Sequence, residues 1–286
     1  FASLFLQGCD STSATGFVKE IPWALIGPSI VMDAHSHTRF SDGKFTVAEL
    51  AGRAVQHGCD ALAITDHGDL SVKGASAEYF QHIREQREIN PDLLLFAGLE
   101  WNVPPYRGRE HINILLHPDD EERVLPGFKK RFDHSGDGEP TVDEALSWLH
   151  SHLGNPGPVA AIYNHPSRKD MDVLENLRDM ERWRSSSKLI VGFEGAPGHQ
   201  KQANAGVYNG KIATLDRWDP VVAEVGGVWD MLLDRGVNVW GALATSDFHN
   251  DSSYDPCEFA QTHVQIPEKT YRGVIEGLQA GSFWAQ

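Results

Sequence analysis

A chain of 286 residues, 41% of them hydrophobic, can bury a substantial core in one large domain without disulfides or a structural metal. Its 25 basic and 40 acidic side chains give a formal charge of −15, which argues against stable duplex nucleic-acid binding but not against a small phosphorylated substrate. The three cysteines, Cys9, Cys59 and Cys257, form no CxxC pair, so neither a disulfide framework nor a zinc finger is expected, and no stretch reaches the roughly 18 apolar residues of a membrane span.

Residues 1–29 read as an N-terminal arm. Within it Leu6-Gln7-Gly8-Cys9 resembles a bacterial lipobox, with the Ser/Thr-rich run after it as a tether. That reading expects a membrane tether through Cys9 and a periplasmic or membrane-tethered location. The short apolar part, the missing basic start and Gln7 leave an ordinary arm, and a cytoplasmic location, as the alternative.

From Ile30 onward a short apolar run is followed repeatedly by a helical pattern. Strands are expected at Ile30–Ala34, Ala61–Thr65, Leu93–Leu99, His111–Leu116, Val159–Tyr163, Leu189–Phe193 and Val237–Ala244. Thr46 with Glu49 and Thr141 with Glu144 spell capping boxes ahead of apolar helical faces. Glu78–Ile89, Asp170–Trp183 and Val221–Leu233 also read as helices, with Gly58, Gly154 and Gly236 placed as C-caps. Two stretches, 118–140 and 195–220, read as loops. The alternation predicts a parallel α/β fold of about seven βα units over residues 30–286, a barrel like the commoner eight-fold form.

The histidines, 14 in all, give this map its chemistry. His35 and His37 follow the first strand and Asp42 comes shortly after. His67 follows the second strand, Glu100 the third, His165 the fifth, and Asp247 and His249 the seventh. In a parallel barrel those strand ends share the face that carries the active site. Residues i and i+2 of an extended segment point the same way, so His35 and His37 can reach one ion. Imidazole and carboxylate donors suit zinc, manganese or iron. One His-x-His pair is weak by itself, since about 0.7 are expected by chance in this composition. A second pair, His150 and His152, falls in a helical pattern, where i and i+2 diverge by about 200°, and reads as non-ligating.

The full set is more specific. His35-x-His37, Ser41-Asp42-Gly43, Thr65-Asp66-His67, Gly98-Leu99-Glu100, His111, Asn164-His165-Pro166 and Ser246-Asp247-x-His249, in this order, resemble the PHP (polymerase and histidinol phosphatase) family of metal-dependent phosphoesterases. The resemblance covers about Ile30 to the C-terminus. It implies a distorted, TIM-barrel-like (β/α) barrel of seven units with two to three divalent ions (Zn, Mn or Fe) at the C-terminal ends of its strands. Carried over, metal one takes His35, His37, Glu100 and Asp247; metal two takes Asp42, His67 and His249; metal three takes Glu100, His111 and His165. His117, on the same face of its strand as His111, is the alternative ligand there.

The implied reaction is hydrolysis of a phosphomonoester or phosphodiester by a hydroxide shared between ions. The alternatives are a metal hydrolase of a C–N or C–O bond and a catalytically silent, metal-stabilised binding module. Three further residues are catalytic candidates. Arg39, between His37 and Asp42, is expected to grip phosphate or else to be a solvated loop arginine. Asp66 is expected to orient a ligand histidine or else to cap a turn. His199, after the sixth strand, is expected to protonate the leaving group or else to be a plain loop histidine. Arg107, Arg109, Arg168 and Lys169 flank ligand candidates, and Trp101 is expected to wall the pocket.

Overall fold

The computed structural model describes residues 27–104, 109–133, 141–153, 158–168, 173–198 and 217–286. Cys9, Arg107, Lys169, Gly154 and His199 lie outside the described residues. Among those described, no helix is long and apolar enough to cross a membrane.

In chain order the elements are β1 (Ser29–Asp33), α1 (Val47–Gln56), β2 (Ala61–Ile64), α2 (Ala77–Ile89), β3 (Leu94–Ala97), β4 (Leu99–Asn102) and β5 (His111–Leu116). There follow α3 (Pro118–Phe132), α4 (Val142–His152), β6 (Val159–Tyr163), α5 (Val173–Ser186) and β7 (Ile190–Ala196). The last are α6 (Pro220–Ala223), α7 (Val228–Asp234), β8 (Trp240–Ala244), β9 (Thr262–Gln265), α8 (Tyr271–Ala280) and β10 (Phe283–Ala285). Both capping boxes form: Thr46 and Thr141 each accept from the backbone of the glutamate three residues on, and that glutamate reaches back. Each cap contributes about 1 kcal/mol.

The strands form two five-stranded sheets, ordered β10-β9-β1-β2-β3 and β4-β5-β6-β7-β8. The fold is therefore mixed α/β, and the all-parallel ring expected from the alternation is corrected in two ways. First, β5 runs antiparallel to both β4 and β6, and β9 pairs antiparallel with β1 and β10. Second, the strand ladder does not run on as one ring. The third expected strand breaks at Gly98, where an added Cβ would lie 2.7 Å from the Thr65 side chain. Beyond the strands, two isolated parallel bridges join the sheets at one end, Ser36 with Phe248 and His67 with Glu100. β9 of the first sheet also meets β8 of the second: the Thr262 hydroxyl donates to the Ala244 carbonyl (2.9 Å) and accepts from its N–H (3.0 Å).

Apolar residues alternate between two cores, as period-2 strands require. Leu62, Ile64, Ile112, Ile114, Ala161 and Phe193 pack under the outer helices. Met32, Ala63, Phe96, Leu115, Ile162 and Leu243, drawn from both sheets, pack inward with Val274 and Leu278 of α8. Trp101 is fully buried against Phe128 and its indole N–H donates to the Phe132 carbonyl (2.7 Å). It is a core residue and not a pocket wall.

The stretch 118–132, expected as loop, is helix α3. Pro118 at its start, Asp119 to Glu121 in its first turn and Lys129 to Arg131 in its last complement the helix dipole, while Pro126 inside it obscured the pattern. Cys59 and Cys257 form a disulfide with Cα atoms 5.7 Å apart, one cross-link where none was expected. It fastens the turn after α1 to the segment following Asp247 and His249. The same segment is held by Arg53, which pairs with Asp255 (2.7 Å) and Asp251 (3.0 Å) and lies over the Phe45 ring. Replacing both cysteines by serine should cost about 2–5 kcal/mol of stability, read as a lowered Tm. Both cysteines should resist alkylation in denatured protein until reductant is added; alkylation of both without reductant would show that no cross-link exists.

Candidate metal centre

The two sheet-joining bridges coincide with the ligand candidates. Beyond β1 the chain stays extended through His35-Ser36-His37, and the His37 N–H donates to the Phe248 carbonyl (2.8 Å). Beyond β2, His67 lies beside Glu100 of β4, and the Gly68 N–H donates to the Glu100 carbonyl (3.0 Å). The antiparallel course of β5 explains why a ligand stands at the start of a strand. It brings His111 to the end of β6, where the Asn164 N–H donates to the His111 carbonyl (2.9 Å). His117 lies at the opposite end of β5, where it caps α3 and pairs with Asp119. All nine expected ligands thus come together, and His117 does not join them.

Glu100 is the hub and is buried. Its Oε1 lies 2.8 Å from His111 Nδ1, 3.1 Å from His165 Nε2 and 3.2 Å from His35 Nε2. Its Oε2 lies 2.9 Å from His67 Nδ1 and 3.4 Å from His37 Nε2. Asp247 Oδ1 is 3.2 Å from His35 Nε2 and 3.3 Å from His37 Nε2, and those two nitrogens are 3.0 Å apart. On the far side, Asp42 Oδ2 is 3.3 Å from His249 Nε2 and 3.5 Å from His67 Nε2.

Hydrogen bonds alone do not account for this packing. His35 Nε2 meets two carboxylate oxygens and another imidazole nitrogen, yet one ring nitrogen donates at most one proton. Donor atoms bound at about 2.0–2.1 Å in a tetrahedron stand about 3.3 Å from one another. The spacings around His35, His37, Glu100 and Asp247 match that edge. His37, Asp42, His67 and His249 form a second group of suitable donors, and His67, Glu100 and His111 a third.

The far side of several imidazoles is anchored. Glu194 Oε1 lies 2.8 Å from His35 Nδ1, and its Oε2 accepts from the His165 N–H (2.9 Å). Glu110 Oε2 lies 3.1 Å from His165 Nδ1, and the Asp247 carbonyl 2.8 Å from His249 Nδ1. The partners of His35 and His249 fix tautomer and ring orientation, turning the other nitrogen to the centre, whereas Glu110 meets His165 as an ionic contact. Asp33 ties two ligand segments together by accepting from the N–H groups of His35 and Ser246, each at 3.1 Å. Sequence reasoning missed Glu194, Glu110 and Asp33. A carboxylate at the end of a buried strand was the available signal for Glu194. Nothing comparable marked Glu110, whose place depends on the reversal of β5.

Local backbone serves the same end. His165 and Asp247 have φ of +28° and +44°, a region L-residues seldom occupy and one that clusters at functional sites. A Cβ on Gly43 would meet the His37 carbonyl oxygen at 2.4 Å, so the turn carrying Asp42 closes only with glycine there.

Of the other candidates, Asp66 accepts from the Thr38 N–H (2.8 Å), the Thr38 hydroxyl and the Ser41 hydroxyl. It braces the turn between His37 and Asp42, as the capping alternative held. Arg39 is exposed. Its Nε donates to the Lys44 carbonyl (2.7 Å), and it lines a pocket with Phe40, Thr46, Val47, Lys73, Glu78 and His82, none of them a ligand candidate. This geometry fits the solvated-loop alternative. Gly198, the residue before His199, packs against Asp247: an added Cβ would lie 2.5 Å from the Asp247 Cβ. His152 stacks on Trp148 in α4, as expected of a non-ligand.

A buried centre of this kind is a problem of charge. Burial would raise the Glu100 pKa, but His111, His35 and His67 hold it well below the usual range, and Asp247 is held down likewise by His35 and His249. Burial would lower the His67 and His249 pKa values, yet nearby carboxylates, chiefly Glu100 for the first and Asp247 for the second, raise them to about 10 and about 9. His37 and His111 go the other way, to about 3 and about 4, mainly through burial.

The similarity to known proteins falls on part of this chain. Residues 33–152 match the family model described as PHP domain. That segment carries His35, His37, Asp42, His67, Glu100 and His111, and the remaining three ligand candidates lie beyond it. An uncharacterized protein of Methanocaldococcus jannaschii is 26% identical over 193 residues, 65% of this chain and 74% of that protein. A protein of Acetivibrio thermocellus named as a probable phosphatase is 38% identical over 80 residues, 27% of this chain and 33% of that one. Among solved structures, a two-domain protein of Bacteroides vulgatus, described as containing a predicted PHP-like metal-dependent phosphoesterase, superposes with a TM-score of 0.59 at 18% identity. That match covers 91% of this chain but 65% of the other. PsfC of Pseudomonas syringae gives 0.52 at 15% identity, covering 90% and 91%. Fold and site define a mixed α/β protein with a histidine–carboxylate centre of metal-binding character. Over residues 33–152 the chain is similar to the PHP domain, and its fold is like that of the PHP-like Bacteroides structure.

The raised histidines set the pH response of the metal-free protein. A raised folded pKa contributes stability that is complete below the unfolded value and lost as pH rises through the folded one. The Tm of chelator-treated protein should therefore fall as pH rises from about 7 through the range of His249 and His67, about 9 to 10, and divalent cation should reverse the loss. Metal binding near pH 7.5 should release protons, read by titration calorimetry in buffers of different ionisation enthalpy. A buffer-independent heat would show that these histidines carry no protons to release.

Proposed function

We propose that this protein hydrolyses phosphomonoesters or phosphodiesters of small substrates at a centre of two to three divalent ions, zinc, manganese or iron. One observation carries the reading: the single buried carboxylate of Glu100 meets five imidazoles, three on one oxygen and two on the other. That is the place of a ligand shared between ions. On this reading His35, His37, Glu100 and Asp247 hold the first ion, Asp42, His67 and His249 the second, and Glu100, His111 and His165 the third. The all-nitrogen-and-oxygen donor set suits these metals. The two sheets, joined by the bridges at the site, are read as a distorted seven-unit barrel opened along its strands.

When bound, the ions supply a lowered pKa for water between them and neutralise charge on the phosphoryl oxygens. The chain's own groups do the rest. Glu194 and the Asp247 carbonyl hold ligand rings in one tautomer. Asp66, through Thr38 and Ser41, holds the turn that presents Asp42. His199 remains a candidate proton donor to the leaving group. No Ser, Thr or Cys stands among the ligands as a recognisable nucleophile motif, so no covalent phospho-enzyme is expected.

Glu100→Ala should empty more than one ion site and lower turnover by at least about 100-fold, whereas His150→Ala, on α4 away from the strand ends, should alter neither metal content nor rate. Elemental analysis and a hydrolysis screen over phosphomonoesters, phosphodiesters, amides and carboxyl esters check both. Exclusive turnover of the amides or carboxyl esters would replace the phosphoester reading by a C–N or C–O hydrolase. A single turnover in ¹⁸O water should place the label in the phosphate; unlabelled phosphate would rule out attack of solvent oxygen at phosphorus.

A further inference from the structure

A phosphoryl group brought to this centre needs a cationic side chain to meet it. Arg39 is turned to a different pocket. Arg109 is committed to Asp179 (3.0 Å from its Nη2) and the Pro104 carbonyl (2.9 Å), with Glu175 at 3.6 Å. Arg53 is committed to Asp255 and Asp251, and Lys73 pairs with Glu78 on the surface.

Arg168 differs. It ends the turn that begins at His165, its N–H donating to the His165 carbonyl (3.0 Å). Its Nε and Nη2 both donate to one oxygen of Glu110, at 3.2 and 2.9 Å. The same oxygen lies 3.1 Å from His165 Nδ1. Glu110 is 1% exposed, whereas Arg168 is 35% exposed, so the arginine spans from the buried carboxylate to solvent. Through Glu110 and His165, whose Nε2 lies 3.1 Å from Glu100, the guanidinium is linked to the central carboxylate. A guanidinium has five N–H groups in a planar fork, and Glu110 takes two of them.

Resting on the phosphoester reading above, we propose that Arg168 receives the phosphoryl group beside the centre and that Glu110 is the positioning residue for it. One Glu110 oxygen then links the two parts of the site, meeting a candidate ligand imidazole on one side and holding the anion-binding fork on the other. Without that anchor the guanidinium is free to swing toward Glu100 and Asp247 and compete with the ions for them. Glu110 thus keeps a cation near a cationic centre without letting it replace one.

The test uses the manganese-loaded protein with inorganic phosphate as the probe, measuring Kd by calorimetry and metal content by elemental analysis. Arg168→Ala should weaken phosphate binding by about 10- to 100-fold, the scale of a lost charge-assisted contact, with metal content unchanged. Arg168→Lys should recover part of the loss, because it restores charge without the fork. Glu110→Gln should weaken phosphate binding in the same direction while the ions are retained, and should raise KM more than it lowers kcat. Phosphate binding by Arg168→Ala as tight as by the parent would overturn the proposal and leave the phosphoester reading standing. So would a loss of metal in that variant, which would assign Arg168 a purely structural role. No phosphate binding by the parent protein would overturn the phosphoester reading and this proposal with it.

Discussion

The structure turns on the cost of burying carboxylates. Glu100 is removed from water among imidazoles, with Asp247 beside it, and an isolated ionised carboxylate in such a place is prohibitively costly. The fold meets that cost by converging six histidines on the strand ends and by fixing the far nitrogens of two of them with Glu194 and a backbone carbonyl. Neither a lone histidine nor a lone acid would be stable there; the cluster stands or falls as a set. The same property makes it receptive to divalent cations, which balance the carboxylates without needing protons on the rings.

Convergence requires the backbone to behave unusually at the site. The two sheets meet at the ligand-bearing segments, through Ser36 beside Phe248 and His67 beside Glu100. Asp33 binds the N–H groups of two ligand turns, and Asp66 organises a third. His165 and Asp247 are held at positive φ, conformations that persist only when their surroundings over-determine them. The disulfide and the Arg53 pairs brace the chain that leads away from Asp247 and His249. Rigidity here is therefore local and purposeful: each ligand segment is tied to another segment and not only to its own strand.

The sequence by itself determined many of the elements and pointed to the acids and histidines that the structure brings together. Capping boxes at Thr46 and Thr141 are local hydrogen-bond patterns, and the strands from His111 and Val159 are runs of β-formers, so both were legible at their true bounds. Nine ligand candidates were legible because acids and histidines fall at strand ends in a family order. What only the tertiary structure decided were relations between strands. Local pattern does not record the direction of a strand relative to its neighbours, so the reversal of β5 was invisible. That reversal places His111, and not His117, beside Glu100 and brings Glu110 to His165 and Arg168. The pairing of Cys59 with Cys257 across 198 positions was equally beyond reach, because proximity in space between distant residues is a property of the folded chain. The same reason explains Arg39. It lies between two ligand candidates in sequence, but successive side chains on an extended turn point to opposite sides, and only the fold shows which side faces the centre.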